Sequence, residues 1–313
     1  MILLVSLTSV KAQTNIQSTM HHRGQSRSYI VHLPAGFSTA VPVPLVIGLH
    51  PGFSSAATFQ STSGWDAKSD AEGFVVVYPD GGQVSGDGRF NWNSYDFSGS
   101  DPDDLGYLSA LIDRVAADYS IDLSRVYMTG FSNGAMMTNS FAAAHSGRVA
   151  AIAPVSGGWI TAYGGNEAQM QPSRAVPTWI WRGSNETFTT GVGAFAKPRS
   201  EQDQEQKSFW IANNNAVFNS TIMEQLSYPL PRTYNTEQYI GQAPVWFTEV
   251  SGSSHVYQPG AADLIWDRFF SQMVVPEPAS GLLVFVGAMI LLNRRHRSGV
   301  RAAEQATFAR TVT

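Results

Sequence analysis

Short, almost uninterrupted apolar segments recur along the chain and alternate with stretches of helical periodicity. Seven of them have the length and composition of strands: 27–34, 43–50, 73–80, 125–130, 149–157, 176–183 and 244–252. Strands that are apolar on both sides of the pleat are typical of a parallel sheet whose two faces are covered by helices. The alternation therefore predicts an α/β fold with a mostly parallel sheet flanked by helices on both faces.

Helical spacing between these segments supports the same fold. Helices are predicted over 103–120, 200–214 and 261–273, and for the residues that follow Ser132. Ser200 and Asp203 have the spacing of a capping pair at the start of one of them. The Gly- and Asn-rich segment 81–102 predicts a long surface loop, of the kind that often shapes a binding site.

Composition excludes several classes of function. The 313 residues include no cysteine, so disulfides, thiolate catalysis and cysteine-bound zinc are impossible. The net charge is −4 and the arginines concentrate near the C-terminus, so the body of the chain lacks the basic stripe that nucleic acid requires. No metal or nucleotide motif is present either, and a function without a cofactor is expected.

The first twelve residues, 1–12, resemble a secretory signal peptide. Residues 2–10 are apolar, and a V-K-A sequence precedes Gln13, where a mature chain would begin. The basic residues that normally open such a peptide are missing, so the alternative is an ordinary apolar strand.

Residues 276–297 start with a P-E-P sequence at Pro276, continue with the apolar stretch 279–292 and then carry an arginine cluster. This order resembles a PEP-CTERM sorting signal, which an exosortase-type membrane protease recognises in Gram-negative bacteria. The stretch is shorter than the roughly 20 residues of a comfortable membrane span, and a core helix is the alternative. The arginines favour a cytoplasmic stop. The resemblance implies export to the cell surface, transient membrane contact and cleavage near Pro276, with 298–313 as a basic tail.

The sequence G-F-S-N-G places Ser132 between Gly130 and Gly134, after an apolar strand and before a predicted helix. This arrangement is typical of a nucleophile elbow, in which a strained turn presents the serine Oγ clear of the backbone. The neighbouring positions must be small because a side chain would collide with the adjoining strand or helix. An ordinary Gly-rich turn can have the same sequence, but the flanking strand and helix favour the catalytic interpretation.

A serine nucleophile needs a histidine base, and in an α/β-hydrolase the chain order is serine, acid, histidine. Of the seven histidines, three follow Ser132, namely His145, His255 and His296. His145 lies in the helix after the elbow, and His296 belongs to the arginine-rich tail. His255, in a polar loop after an apolar strand, is therefore the predicted base.

Two carboxylates compete for the acid. Glu186 directly follows the strand 176–183, where the acid of a hydrolase belongs. Asp203 is the only aspartate between Ser132 and His255, and it has another explanation as a helix cap. We predict Glu186, in a loop that accommodates its longer side chain.

The oxyanion of an acyl-transfer reaction needs two N–H donors. The backbone of Asn133, directly after the nucleophile, is predicted to supply one, and Gly52, in the loop after the second strand, the other. Phe53 is the alternative to Gly52, and His50 is expected to brace the loop. A substrate platform of three aromatic residues is a further hypothesis, with packing in the core as its alternative: Trp92, Trp159 and Tyr257.

At these residues the chain resembles the esterase family of polyhydroxybutyrate depolymerases and feruloyl or acetylxylan esterases. The resemblance covers about 27–273 and is most specific in the block 103–138. It implies an α/β-hydrolase domain over 13–275 that cleaves esters without a cofactor. The acid loop departs from the family's H-G-x-x-D by having Arg182 and Glu186, and Pro51 replaces a glycine and removes a backbone donor.

Two functions follow as hypotheses. The first is an exported serine esterase that forms an acyl-enzyme on Ser132. Its substrates would be polyhydroxybutyrate-type polyester, or feruloyl or acetyl esters of polysaccharide. The second is a catalytically inactive surface or matrix protein that keeps the hydrolase fold, for which the altered acid and oxyanion loops are the support.

Overall fold

A mixed sheet of ten strands forms the centre of this computed structural model, which describes residues 13–98, 100, 102–227 and 231–275. The strands are β1 (Thr14–His22), β2 (Gln25–Leu33), β3 (Val43–Leu49), β4 (Val75–Pro79), β5 (Ile121–Phe131), β6 (Ala151–Val155), β7 (Thr178–Gly183), β8 (Val217–Leu226), β9 (Arg232–Ile240) and β10 (Val245–Val250). Their order across the sheet is β1-β2-β4-β3-β5-β6-β7-β10-β9-β8.

The six central strands, from β4 to β10 in that order, run parallel, and antiparallel pairs complete the two sides. All seven predicted strands are present, and the predicted fold class is confirmed. Strand β1 and the hairpin β8–β9 were not predicted, because their residues are largely exposed or half-buried and lack the apolar runs of the central strands.

Six helices cover the two faces of the sheet. They are α1 (Ala56–Ser63), α2 (Trp65–Glu72), α3 (Asp104–Asp118), α4 (Asn133–Ala144), α5 (Arg199–Asn213) and α6 (Ala261–Arg268). Within β3, Leu45 and Ile47 pack into the core under α3, α4 and α5, while Val46 packs into the core under α1, α2 and α6. Successive side chains of a strand point to opposite faces, so a strand covered on both sides is apolar throughout.

The parallel strands bring distant loops to one edge of the sheet. Because β3, β5, β6, β7 and β10 are parallel, the residues that follow their carboxyl ends meet at the same edge. The described residues form one compact unit that ends at Val275. None of their helices is long and apolar enough to cross a membrane. The predicted signal peptide (1–12), sorting signal (276–297) and basic tail (298–313) lie outside the described residues.

Candidate active site

The turn between β5 and α4 holds Ser132 in a strained backbone conformation. Its φ is +55° and its ψ is −115°, a combination that is costly for a residue with a side chain. The two glycines are required by close approach of the chain. A Cβ on Gly130 would lie 2.5 Å from the carbonyl carbon of Gly134, and one on Gly134 would lie 2.5 Å from the carbonyl oxygen of His50. The geometry is that of a nucleophile elbow.

The imidazole of His255 lies between Ser132 and Glu186. Its Nε2 is 3.0 Å from the Oγ of Ser132, and its Nδ1 is 3.0 Å from Oε2 of Glu186. An ionised carboxylate only accepts hydrogen bonds, so Nδ1 carries the ring proton and donates a hydrogen bond to Glu186. Nε2 of the neutral ring is then the acceptor for the Ser132 hydroxyl. The structure thus brings together the three side chains that chain order singled out.

Glu186 is buried, with 1% of its surface exposed, and both of its oxygens are occupied. Oε1 accepts from the hydroxyl of Ser156 at 2.5 Å and from the N–H of Gly183 at 2.8 Å. Burial raises the pKa of this carboxyl, but the hydrogen bond from His255, the charge of Arg199 and the hydrogen bonds from Ser156 and Gly183 together outweigh it. The pKa of Glu186 therefore lies below its ordinary value, and the carboxylate is ionised at neutral pH.

Asp203, the other candidate for the acid, pairs with Arg182 rather than with His255. It is not the cap that the sequence suggested, because α5 begins at Arg199 and no side chain caps its first turn. The Asp203 carboxylate is buried and accepts from Nη1 of Arg182 at 2.7 Å. Arg182, which departs from the family pattern, thus serves as a partner for Asp203.

Gly52 and Asn133 are neighbours at the elbow. A Cβ on Gly52 would lie 3.4 Å from Cβ of Asn133 and 2.9 Å from Oδ1 of Asn91. The N–H of Phe53, the alternative donor, is already engaged because it donates to Oδ1 of Asn91 at 3.0 Å. The arrangement favours Gly52 over Phe53 as the second oxyanion donor.

Backbone groups of the segment 81–102 hold the side chains of Asn133 and His50 in place at this corner of the site. The N–H of Trp92 donates to Oδ1 of Asn133 at 2.7 Å, and Nδ2 of Asn133 donates to the carbonyl of Trp92 at 3.2 Å. His50 braces the oxyanion loop, as expected: its Nε2 accepts from the N–H of Gly81 at 3.0 Å, so Nδ1 donates to the carbonyl of Pro51 at 2.7 Å. Residues 81–92 therefore form a wall of the site, with a short antiparallel ladder between Gln83–Val84 and Phe90–Asn91.

The predicted aromatic platform is not supported by burial. Trp92 is 1% exposed and Trp159 is 0% exposed, so the indole rings belong to the core and cannot contact a substrate in this conformation. Tyr257 is half-buried, its hydroxyl accepts from Nε1 of Trp65 at 2.8 Å, and burial raises its pKa to about 12. The aromatic rings beside the His255 imidazole are instead those of Phe131 and Phe188, at centroid distances of 4.8 and 5.5 Å.

Sequence reasoning missed three residues that shape the site. They are Ser156, Arg199 and Asn91. Ser156 had one signal, since it follows β6 directly and therefore lies at the same sheet edge as the other site residues. No sequence signal marked Arg199 or Asn91, because their contacts, with Glu186 and with the N–H of Phe53, join separate segments of the chain.

A parallel α/β sheet with a nucleophile elbow and a Ser–His–Glu array at its carboxyl edge defines the chain as an α/β-hydrolase-fold protein. In the part of the chain that the structure describes, no group of three or more His, Asp and Glu side chains is arranged to hold a metal ion. Residues 27–174 match the model of the family described as "Esterase PHB depolymerase", which confirms the predicted resemblance over that segment.

Two curated relatives carry esterase or depolymerase names. The chain is 29% identical over 267 residues to a bifunctional acetylxylan esterase/xylanase of Neocallimastix patriciarum, an alignment that covers 83% of this chain and 36% of the relative. It is 37% identical over 161 residues to poly(3-hydroxyalkanoate) depolymerase C of Paucimonas lemoignei, covering 50% of this chain and 37% of the relative. The chain thus spans little more than a third of the length of these relatives.

Solved structures support the fold. An acetyl xylan esterase from Aspergillus awamori superposes with a TM-score of 0.63 at 18% identity, covering 82% of this chain and 99% of that one. An S-formylglutathione hydrolase from Agrobacterium tumefaciens superposes with a TM-score of 0.53 at 14% identity, covering 78% of this chain and 88% of that one. At such identities the likeness shows a shared architecture.

Proposed function

We propose that the chain is a serine esterase that hydrolyses carboxylic esters through an acyl-enzyme on Ser132. One observation carries the proposal: the hydroxyl of Ser132, the imidazole of His255 and the carboxylate of Glu186 are joined by two hydrogen bonds of 3.0 Å each. This is the geometry needed for a base that removes the serine proton while an acid holds its tautomer. The names of the relatives support the same class of reaction.

The reaction runs in two halves. Ser132 Oγ attacks the ester carbonyl carbon as its proton passes to Nε2 of His255, and the tetrahedral intermediate forms. The carbon–oxygen bond to the alcohol then breaks, and Nε2 returns the proton to the departing alkoxide. Water attacks the acyl-enzyme in the same way, with His255 again taking and returning the proton, and the carboxylic acid leaves.

The surrounding groups stabilise the charges that develop. The carboxylate of Glu186 faces the imidazolium that exists while the intermediate lasts. The N–H groups of Gly52 and Asn133 bind the oxyanion, and the positive end of α4 begins at the same turn. We assign the proton transfers to His255 and the charge stabilisation to Glu186, the two N–H groups and the positive end of α4.

The substrate is proposed at the level of class. The relatives are named for acetylxylan and poly(3-hydroxyalkanoate), which supports acyl esters of polysaccharide or polyhydroxybutyrate-type polyester as substrates here. The exposed ring of Phe188 beside His255 provides an apolar wall for the acyl or the alcohol group. A panel of acetyl-sugar, cinnamoyl, aryl and short polyester substrates would rank these classes by kcat/KM.

We further propose export to the cell surface of a Gram-negative bacterium, with an exosortase-type protease as a processing partner. The support is in the sequence alone: the apolar start, and the order of P-E-P, apolar stretch and arginines over 276–297. Mass spectrometry of cell-surface protein should find a chain that ends near Pro276. An exported protein with an intact C-terminus would overturn the sorting-signal proposal.

Hydrolysis of p-nitrophenyl acetate and butyrate tests the esterase proposal. Ser132→Ala and His255→Ala should each lower kcat by about 10⁴-fold or more, since the two side chains act as one unit. Ser208→Ala, on the exposed side of α5, is the matched control and should retain wild-type rates. If wild type turns over no substrate of the whole panel, the hypothesis of an inactive surface protein is favoured. If Ser132→Ala and His255→Ala both retain turnover, the nucleophile and base are other residues.

A further inference from the structure

The carboxylate of Glu186 ends a row of buried, alternating charges. Nε of Arg199 lies 3.5 Å from Oε2 of Glu186, and Nη2 of Arg199 lies 3.3 Å from Oδ1 of Asp203. Arg182 continues the row, with Nη1 at 2.7 Å from the other oxygen of Asp203 and Nη2 at 2.7 Å from Glu249. The row leads from the histidine of the site to a partly exposed carboxylate at the surface.

The inner members of the row are shielded from water. The side chains of Arg199 and Asp203 are each 3% exposed and that of Glu186 is 0% exposed. Neither Nε of Arg199 nor Oδ1 of Asp203 makes a hydrogen bond to any described residue, so their contacts act through charge. Charge interactions are strong where water is excluded, and removing one member alters the field at its neighbours.

We propose that Arg199 and Asp203 are positioning residues that act on His255 through Glu186, an inference that rests on the proposed function. Hydrogen bonds from Ser156 and Gly183 hold Glu186 ionised together with Arg199, and the positive charge of Arg199 weakens the field of that carboxylate at the imidazole. Asp203 offsets part of the positive charge of Arg199, so that Glu186 retains a negative field at the imidazole. The two acids that competed in the sequence thus both serve the site, one in contact with the histidine and one behind the arginine.

The direction of the pH shift expected from each substitution follows from the groups that surround Glu186 and His255. Glu186 is faced by His255, Ser156, the N–H of Gly183 and the charge of Arg199, with Asp203 behind it. The pKa of Asp203 lies above its ordinary value because burial and the charge of Glu186 raise it more than Arg199 and Arg182 lower it.

Among the residues that the structure describes, Glu186 is the charged side chain in contact with the imidazole. The carboxylate of Glu186 and the hydroxyl of Ser132 contact its nitrogens, and the uncharged rings of Phe131 and Phe188 flank it. In Arg199→Gln, Ser156 and Gly183 still hydrogen-bond the Glu186 carboxylate and keep it ionised. Loss of the Arg199 positive charge therefore favours the protonated imidazole, and loss of the Asp203 negative charge disfavours it.

The test compares Arg199→Gln with Asp203→Asn. Two readouts are measured: the acidic limb of the pH profile of kcat/KM, and the pH midpoint at which the His255 ring titrates in NMR spectra of histidine-labelled protein. Arg199→Gln should move both to higher pH by about half to one pH unit, and Asp203→Asn should move both to lower pH by a similar amount. In the double variant, both midpoints should lie close to the wild-type values.

Several controls keep the result decisive. Glu224→Gln is the control for Asp203→Asn, because it also removes one negative charge, here from the remote ion pair with Arg268. It should leave both midpoints unchanged. Arg182→Gln, one ion pair further out, should act like Arg199→Gln but more weakly, and it replaces that variant if Arg199→Gln does not fold. Arg199→Lys should restore most of the wild-type profile.

Shifts in the same direction for Arg199→Gln and Asp203→Asn, or no shift in folded protein, would overturn the proposal. The NMR readout needs no ester hydrolysis, so the two proposals fail separately. If wild type is inactive but the NMR midpoints of Arg199→Gln and Asp203→Asn shift in opposite directions, only the esterase proposal is wrong. If wild type hydrolyses esters but neither variant shifts the midpoint, only the proposed role of Arg199 and Asp203 is wrong.

Discussion

Ser156 donates its hydroxyl proton to Oε1 of Glu186 across 2.5 Å, from a backbone position with a φ of +53°. The N–H of Ser156 donates to the carbonyl of Trp181 at 2.7 Å, which fixes this residue to the neighbouring strand. Two strained serines, Ser132 and Ser156, therefore follow adjacent strands β5 and β6. In the proposed mechanism, Ser156 orients Glu186, the acid that holds His255 as the base for Ser132.

Replacing Ser156 should slow catalysis without abolishing it. A hydrogen bond to a charged group contributes about 1.5–3 kcal/mol, so its loss should lower kcat about 10-fold or more. Ser156→Ala and Ser156→Gly both remove the hydroxyl, but glycine also tolerates the positive φ. Equal kcat values for the two variants would assign the loss to the hydroxyl. A wild-type kcat in the glycine variant would mean that the hydrogen bond has no part in orienting Glu186.

Glu186→Gln should lower kcat by about 10³- to 10⁴-fold, because an amide cannot hold the required tautomer of His255 or stabilise the imidazolium. Glu186→Asp keeps the charge but shortens the side chain by one methylene, and a smaller loss is expected. Steady-state kinetics at the pH optimum measure both. Asp203→Asn should retain most of the activity there, and the reverse ranking would make Asp203 the acid.

Gly52→Ala should lower kcat with little change in KM. The added Cβ would meet Oδ1 of Asn91 at 2.9 Å and so displace the loop that carries the proposed oxyanion donor. Loss of one such donor costs about 10²- to 10³-fold in kcat. Gly86→Ala is the matched control, because a Cβ there meets nothing within 4 Å. Unchanged kinetics in Gly52→Ala would remove Gly52 from the oxyanion site.

Stability should decrease in mild acid through His50. Burial lowers the pKa of His50, with Arg27 adding to the effect and the carbonyl of Pro51 and the charge of Asp80 opposing it. The unfolded chain then binds a proton below about pH 6.5 that the folded ring excludes, so the free energy of unfolding falls as the pH drops through that value. Urea unfolding at pH 7.5 and 5.5 measures the difference.

His50→Gln should have a smaller free-energy difference between the two pH values than wild type. His21→Gln replaces an exposed ring and should keep the wild-type difference. An identical difference in His50→Gln and wild type would mean that the buried ring takes up its proton without unfolding.

The sequence predicted the parallel core well because its strands are covered on both faces. Val75 and Val77 of β4 pack into one core and Val76 into the other, so the whole segment had to be apolar. The β8–β9 hairpin escaped prediction for the opposite reason. Val217 and Phe218 are exposed at the edge of the sheet, and the polar residues 219–221 separate them from the next apolar residues of β8.

Within the site, chain order was informative and side-chain packing was not. The order serine, acid, histidine selected Ser132, Glu186 and His255, because parallel strands bring their following loops to one edge whatever the loops contain. Whether Trp92 and Trp159 face solvent or the core depends on contacts between remote segments. Burial of these rings is therefore a result that only the three-dimensional structure could supply.

Covalent trapping of the nucleophile is the most direct test of the central claim, that His255 activates Ser132. A fluorophosphonate probe should attach once to the folded protein, and peptide mass spectrometry should place the adduct on Ser132. Labelling should be absent in Ser132→Ala and at least about 10²-fold slower in His255→Ala. Equal labelling of wild type and Ser132→Ala, or an adduct on another residue, would contradict the account.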